Sequence, residues 1–139
     1  MLKQLILTGL LGLTLASPAL SQGLDVKIEG IRNAKGKVLI FVFDNRRAFE
    51  NLNVWKAVDF AQVSAQKGTV HHEFKNMTKG PYAIFLFHDE NDDQDLNATN
   101  TQLLEGLGAT GAPNPEDDPD FAAASAWPGN VQVHMHYDM

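Results

Sequence analysis

Polar and apolar side chains alternate along Leu24-Asp25-Val26-Lys27-Ile28-Glu29-Gly30-Ile31, the period of two expected of a strand with one buried face. Asn33-Ala34-Lys35-Gly36 then supplies turn chemistry, and Lys37-Val38-Leu39-Ile40-Phe41-Val42-Phe43 is apolar on both faces. Such a run predicts a central strand covered on each side, and together with its predecessor it predicts an opening β-hairpin. Between Asn45 and Phe60 the period lengthens. Ala48, Phe49, Leu52, Trp55 and Val58 recur at steps of three or four, which predicts a short amphipathic helix or turn. Gly68 to Phe74 reads as a strand with Val70, His72 and Phe74 on one face, and Pro81 to Phe87 as a second buried strand. At the far end Val131, Val133, Met135 and Tyr137 alternate with Gln132, His134 and His136, so the domain is expected to close with a strand.

Between His88 and Asn130 the strand signal fades. Loops longer than about 12–15 residues are uncommon in compact domains and are usually functional or disordered. Here Leu103, Leu104, Phe121 and Trp127 suggest a segment folded back over the core. The expected fold is mostly β: a single antiparallel β-sandwich, immunoglobulin- or transthyretin-like, with a short helix and a long acidic loop.

Residues 1–21 do not belong to that sandwich. Lys3 in a short basic start, the apolar run Leu5 to Leu15 and the small residues Ser17 to Ser21 have the three-part form of a secretory signal peptide. The run falls short of the roughly 20 apolar residues a membrane span needs. The domain proper is then residues 22–139, periplasmic or secreted, with no membrane insertion after signal cleavage. The formal charge of −6 becomes −7 when Lys3 is removed. An acidic chain without a basic cluster in its sequence argues against nucleic acid, and leaves another protein or an envelope component as the expected partner. There is no cysteine, which excludes disulfides, thiol catalysis and thiolate metal sites.

The charge is concentrated. In the eight residues from His88 to Asp95, five are Asp or Glu, directly after an apolar strand. Like charges at that density repel unless water, salt or a cation screens them. Counted from Asp89 as position 1, Asp89, Asn91, Asp93, Asp95 and Asn97 fall at alternate positions, a spacing that suits a tight loop around a hard cation such as Ca²⁺. Asp95 would contribute its main-chain carbonyl, and Glu90 and Asp92 would face outward. Gln94 stands where such loops usually place glycine, and Asn100 where an EF-hand has its bidentate Glu, so the loop is no EF-hand. Water or Glu105 would complete the shell. The competing reading is a solvated acidic loop that keeps the protein soluble.

Enzymatic readings have less to stand on. His134 and His136 share a strand face, and His71 could join them in a zinc or copper site if the two strands were neighbours. His88 could hydrogen-bond a loop carboxylate and set the loop's entry angle. Ser64 and Ser125 sit in no nucleophile elbow, and Gly106-x-Gly108-x-x-Gly111 has neither the strand before it nor the helix after it that a phosphate loop requires. Phe49, Trp55, Phe121 and Trp127 read as core or lid. A non-enzymatic module is the leading expectation.

Several stretches taken together resemble a known family: the Leu-x-Val-x-Ile opening strand, the Asn-x-x-Gly turn, Lys79-Gly80-Pro81-Tyr82-Ala83, His88-Asp89-Glu90-Asn91-Asp92-Asp93 and the Glu105-Gly106-x-Gly108 step. The chain is similar, over essentially the whole domain, to the bacterial domain-of-unknown-function family 2141. The resemblance implies a small exported β-sandwich and supports His88 to Asn97 as the site, but implies no activity. Two places depart from the family pattern. Asp93-Gln94 replaces its usual Asn-Gly, and Ala109-Thr110-Gly111-Ala112 replaces the Phe-Ser-Asn-Asn that often follows Glu-Gly-x-Gly.

Overall fold

A computed structural model describes residues 22–138; the segment 1–21, read above as an export signal, lies outside them. Among the described residues, seven strands form two sheets: β1 (Leu24–Ile31), β2 (Lys37–Phe43), β3 (Asp59–Ser64), β4 (Gly68–Phe74), β5 (Ala83–Asp89), β6 (Leu107–Ala109) and β7 (Gly129–His134). One sheet has the order β4-β1-β7 and the other β3-β2-β5-β6. The fold is thus mostly β and sandwich-like. Short helices α1 (Arg46–Glu50) and α2 (Phe121–Ala124) and a 3₁₀ turn at Val54–Lys56 lie in the connections. No helix among the described residues is long and apolar enough to cross a membrane.

The two periodicities of β1 and β2 assign them to different environments. In β1, Leu24, Val26 and Ile28 are buried while Asp25, Lys27 and Glu29 are only partly covered. In β2 both sets are buried. Val38, Ile40 and Val42 join the core between the sheets, and Leu39, Phe41 and Phe43 join a second cluster with Phe49, Phe85, Phe87 and Ala124. The expected two-sided cover of β2 is therefore present: the other sheet on one side, the helices and the long segment on the other.

The same separation overturns the opening hairpin. β1 pairs with β4 and β7, β2 with β3 and β5, so the Asn33–Gly36 turn carries the chain from one sheet to the other. Nor are all pairs antiparallel. β1 and β7 run parallel, Leu24 opposite Gly129 and Glu29 opposite His134, which nearly the whole domain between them makes possible as a crossover.

The amphipathic stripe after Asn45 is cut short. Asn45 caps α1 by accepting from the Ala48 N–H at 3.0 Å, and Ala48 and Phe49 are buried. Leu52 then takes φ +47, outside the helical region, so Leu52, Trp55 and Val58 end on the surface instead of on a helix face. Trp55 is 94% exposed and Trp127 69%, so neither is core or lid. Of the four residues expected to fold the long segment back, Phe121 packs on the second cluster, but Leu104 and Trp127 face water.

Candidate metal centre

β5 ends on Asp89, opposite Lys37 of β2. The carboxylate of Asp89 is fully buried, and Asp89 Oδ1 accepts the Asp93 N–H at 3.2 Å and Oδ2 the Gln94 N–H at 2.8 Å. One buried side chain thus curls the loop back on itself. The curl uses left-handed backbone at Asp92 (φ +57) and Gln94 (φ +64). Gln94 therefore adopts the conformation for which glycine is usual at that position.

Asp93 gathers the rest. Its Oδ1 accepts the Asp95 N–H at 2.9 Å, and its Oδ2 accepts from the amides of Asn91 at 3.1 Å and Asn97 at 2.9 Å. Beyond Asn97 the chain doubles back: the Leu104 N–H donates to the Asn97 carbonyl, and Glu105 Oε2 accepts the Asn97 N–H at 3.2 Å. Glu105 is only 4% exposed. One oxygen each of Asp89, Asp93 and Glu105 then lies within 4.8 Å of the others. The shell of Ca²⁺ ligands is about 4.6–5.2 Å across, twice its oxygen distance, so these pairwise separations are compatible with ligands of one ion.

The loop's charges divide into two groups. Glu90 pairs with Arg32 at 2.5 Å and Asp92 with Lys37 at 3.4 Å, so these two do more than face solvent. Among the described residues, no Lys, Arg or His nitrogen lies within ion-pair distance of Asp89, Asp93 or Glu105. Asn97 Oδ1 is also buried with no hydrogen-bond partner among them. Asp95 keeps its side chain exposed and meets Asp93 through its N–H.

Titration follows from this arrangement. Burial pushes the Glu105 carboxyl above its ordinary value, and the neighbouring Asp89 and Asp93 charges push in the same direction. Asp93, exposed and bonded by the Asn97 amide and the Asp95 N–H, is held below its ordinary value. For Glu105 the folded-state pKa exceeds the unfolded one, so its charge destabilises the metal-free fold at neutral pH. That penalty fades as pH falls through the folded value and is gone below the unfolded value, near 4.5. Glu105→Gln is therefore expected to stabilise the metal-free protein at pH 7 and to change nothing below about pH 4. Chemical denaturation with chelator present, at a series of pH values, reads this directly.

His88 holds the loop's entry by hydrogen bonds to other groups, with the Glu90 carboxylate 3.7 Å from its Nδ1. Its ring is fully buried, with Nε2 donating to the Lys35 carbonyl at 2.6 Å and Nδ1 accepting from the Tyr137 hydroxyl at 2.8 Å. The fold separates the histidine set: β4 and β7 occupy opposite sides of β1, with His71 beside Lys27 and His134 beside Glu29. His134 and His136 do lie together, ring centroids 5.0 Å apart, and His136 is engaged by the Ala112 carbonyl at 3.0 Å.

Of the residues that spacing singled out, the structure brings Asp89 and Asp93 together beside Glu105, which the sequence offered as a completing ligand. What spacing missed is that the side-chain amides of Asn91 and Asn97 bond to Asp93.

No curated protein and no solved structure is significantly similar to the chain. A family model described as an uncharacterized protein conserved in bacteria, DUF2141, matches residues 26–134, from the third residue of β1 to the end of β7, and so includes the acidic loop and Glu105. The chain belongs to this bacterial family of uncharacterised proteins.

Proposed function

We propose that the chain is an exported, non-enzymatic β-sandwich module of the immunoglobulin- or transthyretin-like kind, working in the periplasm or outside the cell. Its acidic loop binds Ca²⁺ and thereby orders the segment that follows. One observation supports this reading: one oxygen each of Asp89, Asp93 and Glu105 lies within 4.8 Å of the others, and among the described residues none of the three has a basic side chain within ion-pair distance. A merely solvating loop would leave its carboxylates in water, whereas Asp89 and Glu105 are withdrawn from it. The donors are all oxygen, which suits a hard cation over zinc or copper. Asn91 and Asn97 would rotate their amides to turn oxygens inward, giving Asn97 Oδ1 a partner, and Asp95 would add its carbonyl. Export rests on the signal-like pattern of residues 1–21.

Calorimetric titration of the purified domain with Ca²⁺, Mg²⁺ and Zn²⁺ tests the reading. The expected outcome is calcium binding with Kd of about 10⁻⁴–10⁻³ M, the range of extracellular modules, abolished by Asp93→Asn. Absence of binding heat for all three ions at millimolar concentration would remove it.

A further inference from the structure

On the outer face of the β3-β2-β5-β6 sheet, beside the acidic loop, lies a groove of about 480 Å³. Its floor is Phe41, which stacks on Phe85 and Phe87 and packs against Phe60 with ring centroids 4.9 Å apart. Trp55, almost wholly exposed, and the half-exposed Phe60 rise from it. The polar contribution comes from Gln62, Gln94 and Asp95, and no Lys or Arg lines the groove. The backbone of Gln94 and Asp95 is fixed by the carboxylates of Asp89 and Asp93, so this wall is held in place without any metal.

Such a lining is complementary to one kind of charge. Three aromatic residues, Phe41, Trp55 and Phe60, line the groove, and an aromatic π-face attracts a cation, more strongly as the cation loses water. Asp95 adds a full negative charge, and no Lys or Arg among the described lining residues opposes it. The volume falls within the range of small-molecule sites, and the walls are mainly aromatic and apolar with a few polar groups, as such sites usually are. An exposed tryptophan beside a part-exposed phenylalanine also leaves apolar surface that a ligand would cover.

We infer that this groove binds a small organic cation, an ammonium group on an apolar body, between Trp55 and Phe60 with Asp95 as its counter-charge. The inference is independent of calcium, because the groove is formed in the metal-free chain.

Choline and its neutral isostere 3,3-dimethylbutan-1-ol are the probes, titrated into the whole domain by tryptophan fluorescence and calorimetry, once with chelator and once with calcium. Choline is expected to bind saturably in both conditions, about tenfold more tightly than the isostere. Trp55→Ala and Asp95→Asn, both on exposed side chains, should each weaken choline about tenfold, and Trp55→Ala should leave the melting temperature unchanged. Equal affinity for the two probes, no saturable binding, or variants that bind choline as the parent does would each overturn the inference. Binding with chelator, together with no thermal response to calcium, would uphold the groove while removing the metal reading. The opposite pattern would do the reverse.

Discussion

Calcium at about 10 mM is expected to raise the melting temperature of the domain by about 5–10 °C over the value in chelator. The figure follows from linkage. With Kd of about 10⁻⁴–10⁻³ M, that concentration stabilises the folded state by about 1.4–2.7 kcal/mol, and each kcal/mol moves the midpoint of a domain of this size by roughly 4 °C. The response should disappear in Asp93→Asn, which keeps the shape of the side chain that gathers Asn91, Asn97 and Asp95. Glu105→Gln is more discriminating. Without metal it should melt higher than the parent at neutral pH, because it removes a buried charge that its neighbours repel. In calcium it should melt lower, because it has lost a ligand. A solvated loop with no ion predicts no such change of sign. Differential scanning fluorimetry on the parent and both variants, with and without calcium, suffices.

The second large effect concerns the turn beneath the site. Gly36 has φ +62, and a Cβ at that position would run into the main-chain carbonyl of Asp89. Neither partner can give way cheaply, because Lys37 and Asp89 are paired across β2 and β5 and the Gly36 carbonyl accepts from Ala65. Gly36→Ala should therefore cost about 3–4 kcal/mol, combining the penalty of left-handed backbone with that of an overpacked site. Gly68→Ala is the control: its φ is +97, yet no atom lies within 4 Å of the added carbon. It should cost only the backbone term, about 1 kcal/mol. Urea denaturation of the two variants measures the difference. Equal losses would show that the packing of Gly36 on Asp89 contributes nothing.

The Gly36 contact also shows how far a sequence can be read. The two-sided apolar run of β2 and the one-sided alternation of β1 were legible, because side-chain period and burial are local properties. Their separation into different sheets was not, because pairing depends on strands far along the chain: β1 finds β4 and β7, and β2 finds β3 and β5. β3 escaped notice because it is an edge strand with a single buried residue, Ala61, and β6 because three residues carry no period. Leu52, Trp55 and Val58 kept helical spacing after the helix had ended, so spacing misplaced Trp55 into the core.

At the site, Asp89 and Asp93 were readable from alternation alone. Glu105 could be suggested only as a possible ligand, since its return to Asp89 depends on the chain doubling back between Asn97 and Leu104. The ion pairs of Glu90 and Asp92 were hidden for the same reason: their partners, Arg32 and Lys37, flank the turn that joins the two sheets. Among the described residues, Asp89, Asp93 and Glu105 remain without an ion-pair partner.

The most direct test of that assignment is anomalous diffraction from crystals of the domain grown in calcium. The account predicts a peak about 2.3–2.6 Å from oxygens of Asp89, Asp93 and Glu105, with Asn97 Oδ1 turned toward it. Well-ordered side chains around an empty centre, or carboxylates spread apart into solvent, would contradict it.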